Sequence, residues 1–215
     1  MREVPLYVYF MAASLLVSLW RIRNTIGTPH LRFFPLFLTI SIIVELVAAS
    51  YWKEGKDNTV IYNFFTLFEF AFYFFVQYQI IKSKSFRKVL FVSSLIYFSL
   101  CLANIFFYQG PNTFHTITYS LGCLLISTFA IFYFFELFRL PKLVSLTRQP
   151  SFWINTGLIF FYICSFPFFA LSGLLEGSAY FILENLDKFI TFLNILLYSL
   201  FSVALLCQTK AKVSI

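Results

Sequence analysis

Charge is what this sequence has least of. Only 12% of its 215 residues are charged, against about 25% in soluble proteins, too few to cover the surface of an ordinary soluble domain. Glycine is also scarce, at seven residues, which argues against tightly packed small-residue helix interfaces. There are two histidines, His30 and His115. Two are too few for an intramembrane zinc cluster, and their positions exclude facing haem ligands. The four cysteines, Cys101, Cys123, Cys164 and Cys207, stand singly in or at the ends of apolar runs without a C-x-x-C pair, so they read as small core residues. No G-x-S-x-G elbow, glycine-rich phosphate loop or histidine-backed nucleophile is present. Lys188 lies at the edge of the last apolar run and not at its middle, which removes a retinal Schiff base. No catalytic residue, cofactor or metal is therefore expected.

What is there is hydrophobic and aromatic: 60% and 22% of the chain, with 32 phenylalanines. Crossing a bilayer takes about 20 apolar residues. Such runs lie at Val4–Trp20, Leu31–Tyr51, Val60–Ile81, Val89–Tyr108, Thr116–Phe135, Phe152–Leu171 and Phe189–Cys207. The expectation is an all-α membrane protein, residues 1–215 forming a single seven-helix transmembrane domain. Arg21 and Arg23 follow the first run and no small-residue cleavage pattern is present, so it reads as a retained span and not a signal peptide. Pro167 in the sixth run is expected to kink it.

The formal charge of +7 points to membrane orientation and not to nucleic acid, because it is spread over short connections. Arg21, Arg23 and Arg32 flank the first connection, Lys82 to Lys88 the third, Arg139, Lys142 and Arg148 the fifth, and Lys210 and Lys212 follow the last span. Together they are most of the sixteen basic residues. The positive-inside rule then places the N-terminus outside and the C-terminus in the cytoplasm. Trp20, Trp52 and Trp153 fall at span ends, where amphipathic rings prefer the interface. Ser172–Lys188, the longest outer connection, is expected to cap the outer mouth.

The informative stretch is Tyr62–Gln77, in which Asn63, Thr66, Glu69, Tyr73 and Gln77 recur every three or four residues and form one helical stripe. Phe64, Phe65, Phe68, Phe72 and Phe75 are expected to face lipid from the other sides. At 1.5 Å per residue, Glu69 sits about 13 Å below the outer end of its span, and Glu45 about 9 Å below the end of the second. No Lys or Arg lies deep enough to pair with either. Each carboxyl must therefore be protonated, hydrogen-bonded, or balanced by something the chain does not supply, such as a cationic ligand, a proton or a partner. Asn63, Asn104, His115 and Asn194 fall in the same outer half, which predicts an outward-facing polar cavity. The plainer alternative is hydrogen bonding between helices for the asparagines and a solvated loop-end position for His115.

Two stretches, YNFFTLFEFAFYFFVQYQIIKSKSFRK with Asn63 and Glu69, and PSFWINTGLIFFYICSFPFF with Phe152, Trp153 and Ile154, resemble a group of small bacterial membrane proteins without an assigned activity. The resemblance covers about a quarter of the chain and implies a seven-helix bundle; the expected location is the bacterial cytoplasmic membrane. The chain also resembles the membrane modules that accompany sensor kinases.

The leading expectation is a non-enzymatic membrane module, sensor-like or a subunit of a larger complex. Candidate ligand-binding or protonation residues are Glu69, Glu45, Asn63, Asn104, His115 and Asn194. Expected partners are membrane lipids and either another membrane or cytoplasmic protein or a second copy, because the segment after the last span is too short to signal alone. Two alternatives remain open: a small proton-coupled transporter using Glu69, and a lipid-modifying enzyme using Glu45 and Glu69 as acid and base.

Overall fold

The computed structural model describes residues 5–21, 29–139, 146–171 and 179–207. Among them every regular element is a helix. That is the outcome expected of a chain whose apolar runs exceed its polar ones, since a helix satisfies its backbone groups within the segment. The helices are α1 (Leu6–Arg21), a single turn α2 (Pro29–Arg32), α3 (Phe34–Lys53), α4 (Thr59–Ile80), α5 (Lys84–Ala103), α6 (Thr116–Phe138), α7 (Pro150–Leu171) and α8 (Ala179–Leu206). Six of these, α3 to α8, are long and apolar enough to cross a membrane, and α1, at 16 residues, is shorter. This is an all-α protein of the multi-pass membrane type.

Local chemistry places several boundaries. Proline opens α7 and stands within the first two positions of α3, where its missing N–H costs nothing. Gly55 and Gly110 turn the chain after α3 and α5 with φ of 70° and 82°, a region glycine enters freely. Beyond Ala103, α5 widens into a π turn, Asn104–Tyr108. The helix α7 runs on through Pro167.

The α7–α8 and α4–α5 connections differ from a plain reading of their charges. The segment Ser172–Lys188 is not loop throughout: residues 172–178 lie outside the described residues, and α8 already begins at Ala179. Its first turns carry Glu184, Asp187 and Lys188, charges that suggest a connection but sit as well on a helix that starts beyond the apolar zone. Glu136 and Arg139, three positions apart in sequence, would suit a surface ion pair on one helix face. Instead the Glu136 carboxylate oxygens accept the backbone N–H groups of Lys82 and Ser83, each at 2.9 Å, and so hold the α4–α5 connection against the end of α6.

The packing is a ring. Helix α1 packs on α3, α3 on α4, α4 on α6, α6 on α7, α7 on α8 and α8 back on α1, while α5 lies outside against α4 and α6. The polar stripe of α4 faces inward, with Asn63, Thr66, Glu69, Tyr73 and Gln77 all buried. Phe64 is 47% exposed as expected, but Phe72 is buried, because its ring stacks on Phe37 of α3 at 4.1 Å between centroids. Below the stripe's midpoint the interior is filled by rings. Tyr73 meets Tyr162 at 5.7 Å and Phe201 at 6.2 Å, and Phe70 meets Tyr162 at 5.4 Å and Tyr97 at 5.3 Å. Farther down, the Gln77 amide donates to Asn155 Oδ1 at 2.7 Å. This aromatic slab is the floor of the space described next.

Candidate functional site

Three helices meet at Glu45. Its position on α3 faces α1 and α4, and its Oε2 accepts the hydroxyl of Tyr7 at 2.8 Å and that of Tyr62 at 3.1 Å. Two phenols on one carboxylate oxygen form a clamp that spans α1, α3 and α4.

On either side of the clamp lies a hollow. The outer one, of about 390 Å³, is bounded by Trp52, Asp187 and Thr191. The inner one, of about 300 Å³, reaches Glu69, Asn194 and Tyr198. Tyr7, Glu45, Asn58 and Tyr62 line both, so the clamp is the wall the two hollows share. The inner chamber is more aromatic than the sequence leads one to expect: Phe65, expected to face lipid, lines it together with Phe114, Tyr119, Phe161 and Phe169.

Glu69 closes the bottom of the chamber and is 8% exposed. The Tyr73 and Tyr162 hydroxyls approach its carboxyl, yet both remain buried without a hydrogen bond of normal geometry. Among the described residues no Lys, Arg or His lines either hollow. Nor do any described His, Cys, Asp and Glu residues form a group of three able to hold a metal ion. The site is thus acidic and aromatic, with a deep carboxyl that no described basic side chain faces.

The six residues singled out from the sequence separate into two sets. Glu69, Glu45 and Asn194 line the chamber, although the Asn194 amide also donates to the Ile190 carbonyl at 3.0 Å. Asn63, His115 and Asn104 lie behind its wall in a buried network. The Asn63 amide donates to the Pro111 and Thr113 carbonyls, both at 2.9 Å, and its Oδ1 accepts the His115 N–H at 3.2 Å. His115 is 0% exposed, not solvated, because Thr66 stands 2.6 Å from Nε2 and Thr118 2.8 Å from Nδ1. A hydroxyl at each nitrogen serves either neutral tautomer, and burial holds the imidazole down at about 4. Asn104 donates to Gln109 at 2.6 Å and to Thr118 at 3.2 Å, fastening the π turn to α6.

Tyr7 and Tyr62 are functional candidates the sequence reading passes over. Tyr62 falls one residue before Asn63 at the top of the polar stripe, a position that hints at it. Tyr7, 38 residues from Glu45, carries no local signal. Comparisons of this chain with models of known protein families, with curated proteins and with solved structures return no match.

Proposed function

We propose that this protein is a non-enzymatic seven-span module of the bacterial cytoplasmic membrane that binds a small ligand from outside and passes its occupancy to a partner. The N-terminus lies outside and the C-terminus in the cytoplasm. The basic residues gathered at the expected inner connections support that orientation, and the stretches that resemble small bacterial membrane proteins support the location. The observation that carries the binding role is the position of Glu69. It is almost fully buried, lies at the foot of a chamber, and is reached through an outer hollow past a carboxylate held by two tyrosines. A deep ionisable group in a membrane bundle is retained at a cost of several kcal/mol, which favours a role beyond packing. Ligand pockets are concave, largely apolar and carry few polar groups, as this one does. The tyrosine clamp ties the pocket to α1, α3 and α4, so occupancy is positioned to shift their relative packing.

A single-cysteine scan tests this. In a background without the native cysteines, Thr191→Cys in the outer hollow should react with a membrane-impermeant thiol reagent on whole cells and be protected in sealed inverted vesicles. Reaction only in inverted vesicles overturns the orientation, and no reaction in either overturns the accessible hollow. Cross-linking in native membranes should recover a partner or a second copy. Recovery always as a lone monomer argues against a relay.

A second reading is favoured by the placing of Glu45 and Glu69 in series: a proton-coupled carrier with Glu69 as the protonation site. Glu69→Gln would then abolish flux in liposomes while leaving the fold intact. The aromatic slab beneath the chamber makes this the less economical reading, since a carrier must also open it.

A further inference from the structure

The chemistry of the chamber walls narrows the ligand. Resting on the binding role above, we propose that the hollow around Glu69 is a site for an organic monocation, an ammonium group carried on a small apolar body.

Three observations converge on this class. First, the route inward is acidic at each stage: Asp187 borders the outer hollow, Glu45 the shared wall and Glu69 the inner end, and no described basic side chain lines either space. An anionic ligand would find carboxyl groups and no described basic side chain along this route. Second, the sides are rings, with Phe65, Phe114, Tyr119, Phe161 and Tyr198 around the inner chamber. Aromatic walls attract ammonium groups through the ring quadrupole and accept an alkyl or aryl body by burial. Third, Glu69 is 8% exposed and faces the chamber, and the groups nearest its carboxyl are the neutral Tyr73 and Tyr162 hydroxyls, not a described basic side chain. Glu45 Oε2 is occupied by Tyr7 and Tyr62, which leaves the deeper acid as the principal counter-charge.

A bare metal ion does not fit. Among the described residues no three metal-ligating side chains come together, and rings cannot replace the oxygen shell a hard cation requires. An organic cation carries its own apolar surface and needs one carboxylate and a ring of aromatics. The clamp has a place in this arrangement: a cation that enters past Glu45 exchanges attraction to one carboxylate for attraction to the next.

The test uses the full chain in maltoside micelles and two sets of probes matched in shape but not in charge. One set is choline, neohexyl alcohol and tert-butylacetate. The other is phenethylammonium, phenethyl alcohol and hydrocinnamate. Saturable thermal stabilisation by at least one cation is expected, with its neutral and anionic counterparts inert. Glu69→Gln should weaken the cation at least about tenfold, the loss typical when one partner of a buried charge pair is removed. Glu45→Gln, at a half-buried site, should also weaken it and decides the matter if the Glu69 variant does not fold. Equal binding of cation and neutral isostere, unaffected by either variant, overturns the cation class and leaves the binding role standing. Cation binding undiminished in both variants places the cation elsewhere and overturns the assignment. No stabilisation by any probe of either set overturns both the class and the binding role.

Discussion

Thr66 Oγ1 and His115 Nε2 stand 2.6 Å apart, a buried hydrogen bond between positions 49 residues apart in sequence. It joins the middle of the α4 stripe to the residue that precedes α6. Thr66 lines the ligand chamber, and so does Phe114, whose ring lies 5.1 Å from that of His115. The histidine therefore does not contact the proposed ligand; it fixes the wall that does.

That burial makes the fold sensitive to acid. The folded imidazole titrates at about 4, the unfolded one at about 6.5. Above pH 6.5 both states are neutral and His115 contributes nothing to pH dependence. As pH falls from about 6.5 toward 4, the unfolded chain takes up the proton first, so stability declines, by at most about 3 kcal/mol. Thermal unfolding in detergent across that range should give a steeper fall for the native chain than for His115→Gln. Equal slopes would mean that the imidazole is solvated.

The inward stripe of α4 was legible because a period of three and four residues needs only the helix to be true. Asn63, Thr66, Glu69, Tyr73 and Gln77 are all buried, as their spacing requires. The helical architecture follows from composition in the same way. What periodicity cannot convey is the partner. Phe72 lies off the polar stripe and reads as lipid-facing, yet Phe37 of α3 covers it. His115 looks like a loop-end residue until α4 brings Thr66 against it. The clamp on Glu45 depends on Tyr7, a phenol on a different helix, and no local pattern marks a phenol that will face an acid. Charge at Glu184, Asp187 and Lys188 reads as loop, a rule that fails where a helix extends past its apolar stretch, as α8 does from Ala179.

Asn63 uses its whole side chain. Its amide supplies two bonds to the Pro111 and Thr113 carbonyls and its oxygen accepts the His115 N–H, so it holds the α5–α6 connection down on α4. Asn63→Ala leaves these groups without their partner at a buried position, at a cost of about 2 to 4 kcal/mol. The expected outcome is a lower unfolding temperature with hydrogen exchange accelerated first at residues 112–116. A loss of stability with no local change in exchange would mean that the connection is held by other contacts.

Gly122 marks a close approach of α6 to α4 and α5. A Cβ at this position would fall 2.6 Å from Phe70 Cζ, 2.7 Å from Phe70 Cε1 and 2.7 Å from the Tyr97 hydroxyl. Neither ring is free to yield. Both are 0% exposed, and Phe70 is held by Tyr97 at 5.3 Å, Tyr119 at 5.5 Å and Tyr162 at 5.4 Å. Gly157 on α7 is the control, because its Cβ would meet Leu197 Cδ1 at 3.1 Å, a milder overlap against the end of a flexible side chain. Gly122→Ala should therefore destabilise the protein by about 1 to 3 kcal/mol through overpacking, and Gly157→Ala by less. Because Phe70 also touches Tyr119 and Tyr162, the same change should disturb the chamber floor and weaken ligand stabilisation. Thermal unfolding of both variants measures the difference. Equal stability of the two alanine variants would mean that α6 can withdraw from α4 and α5 without penalty, and that the aromatic slab is not a rigid floor.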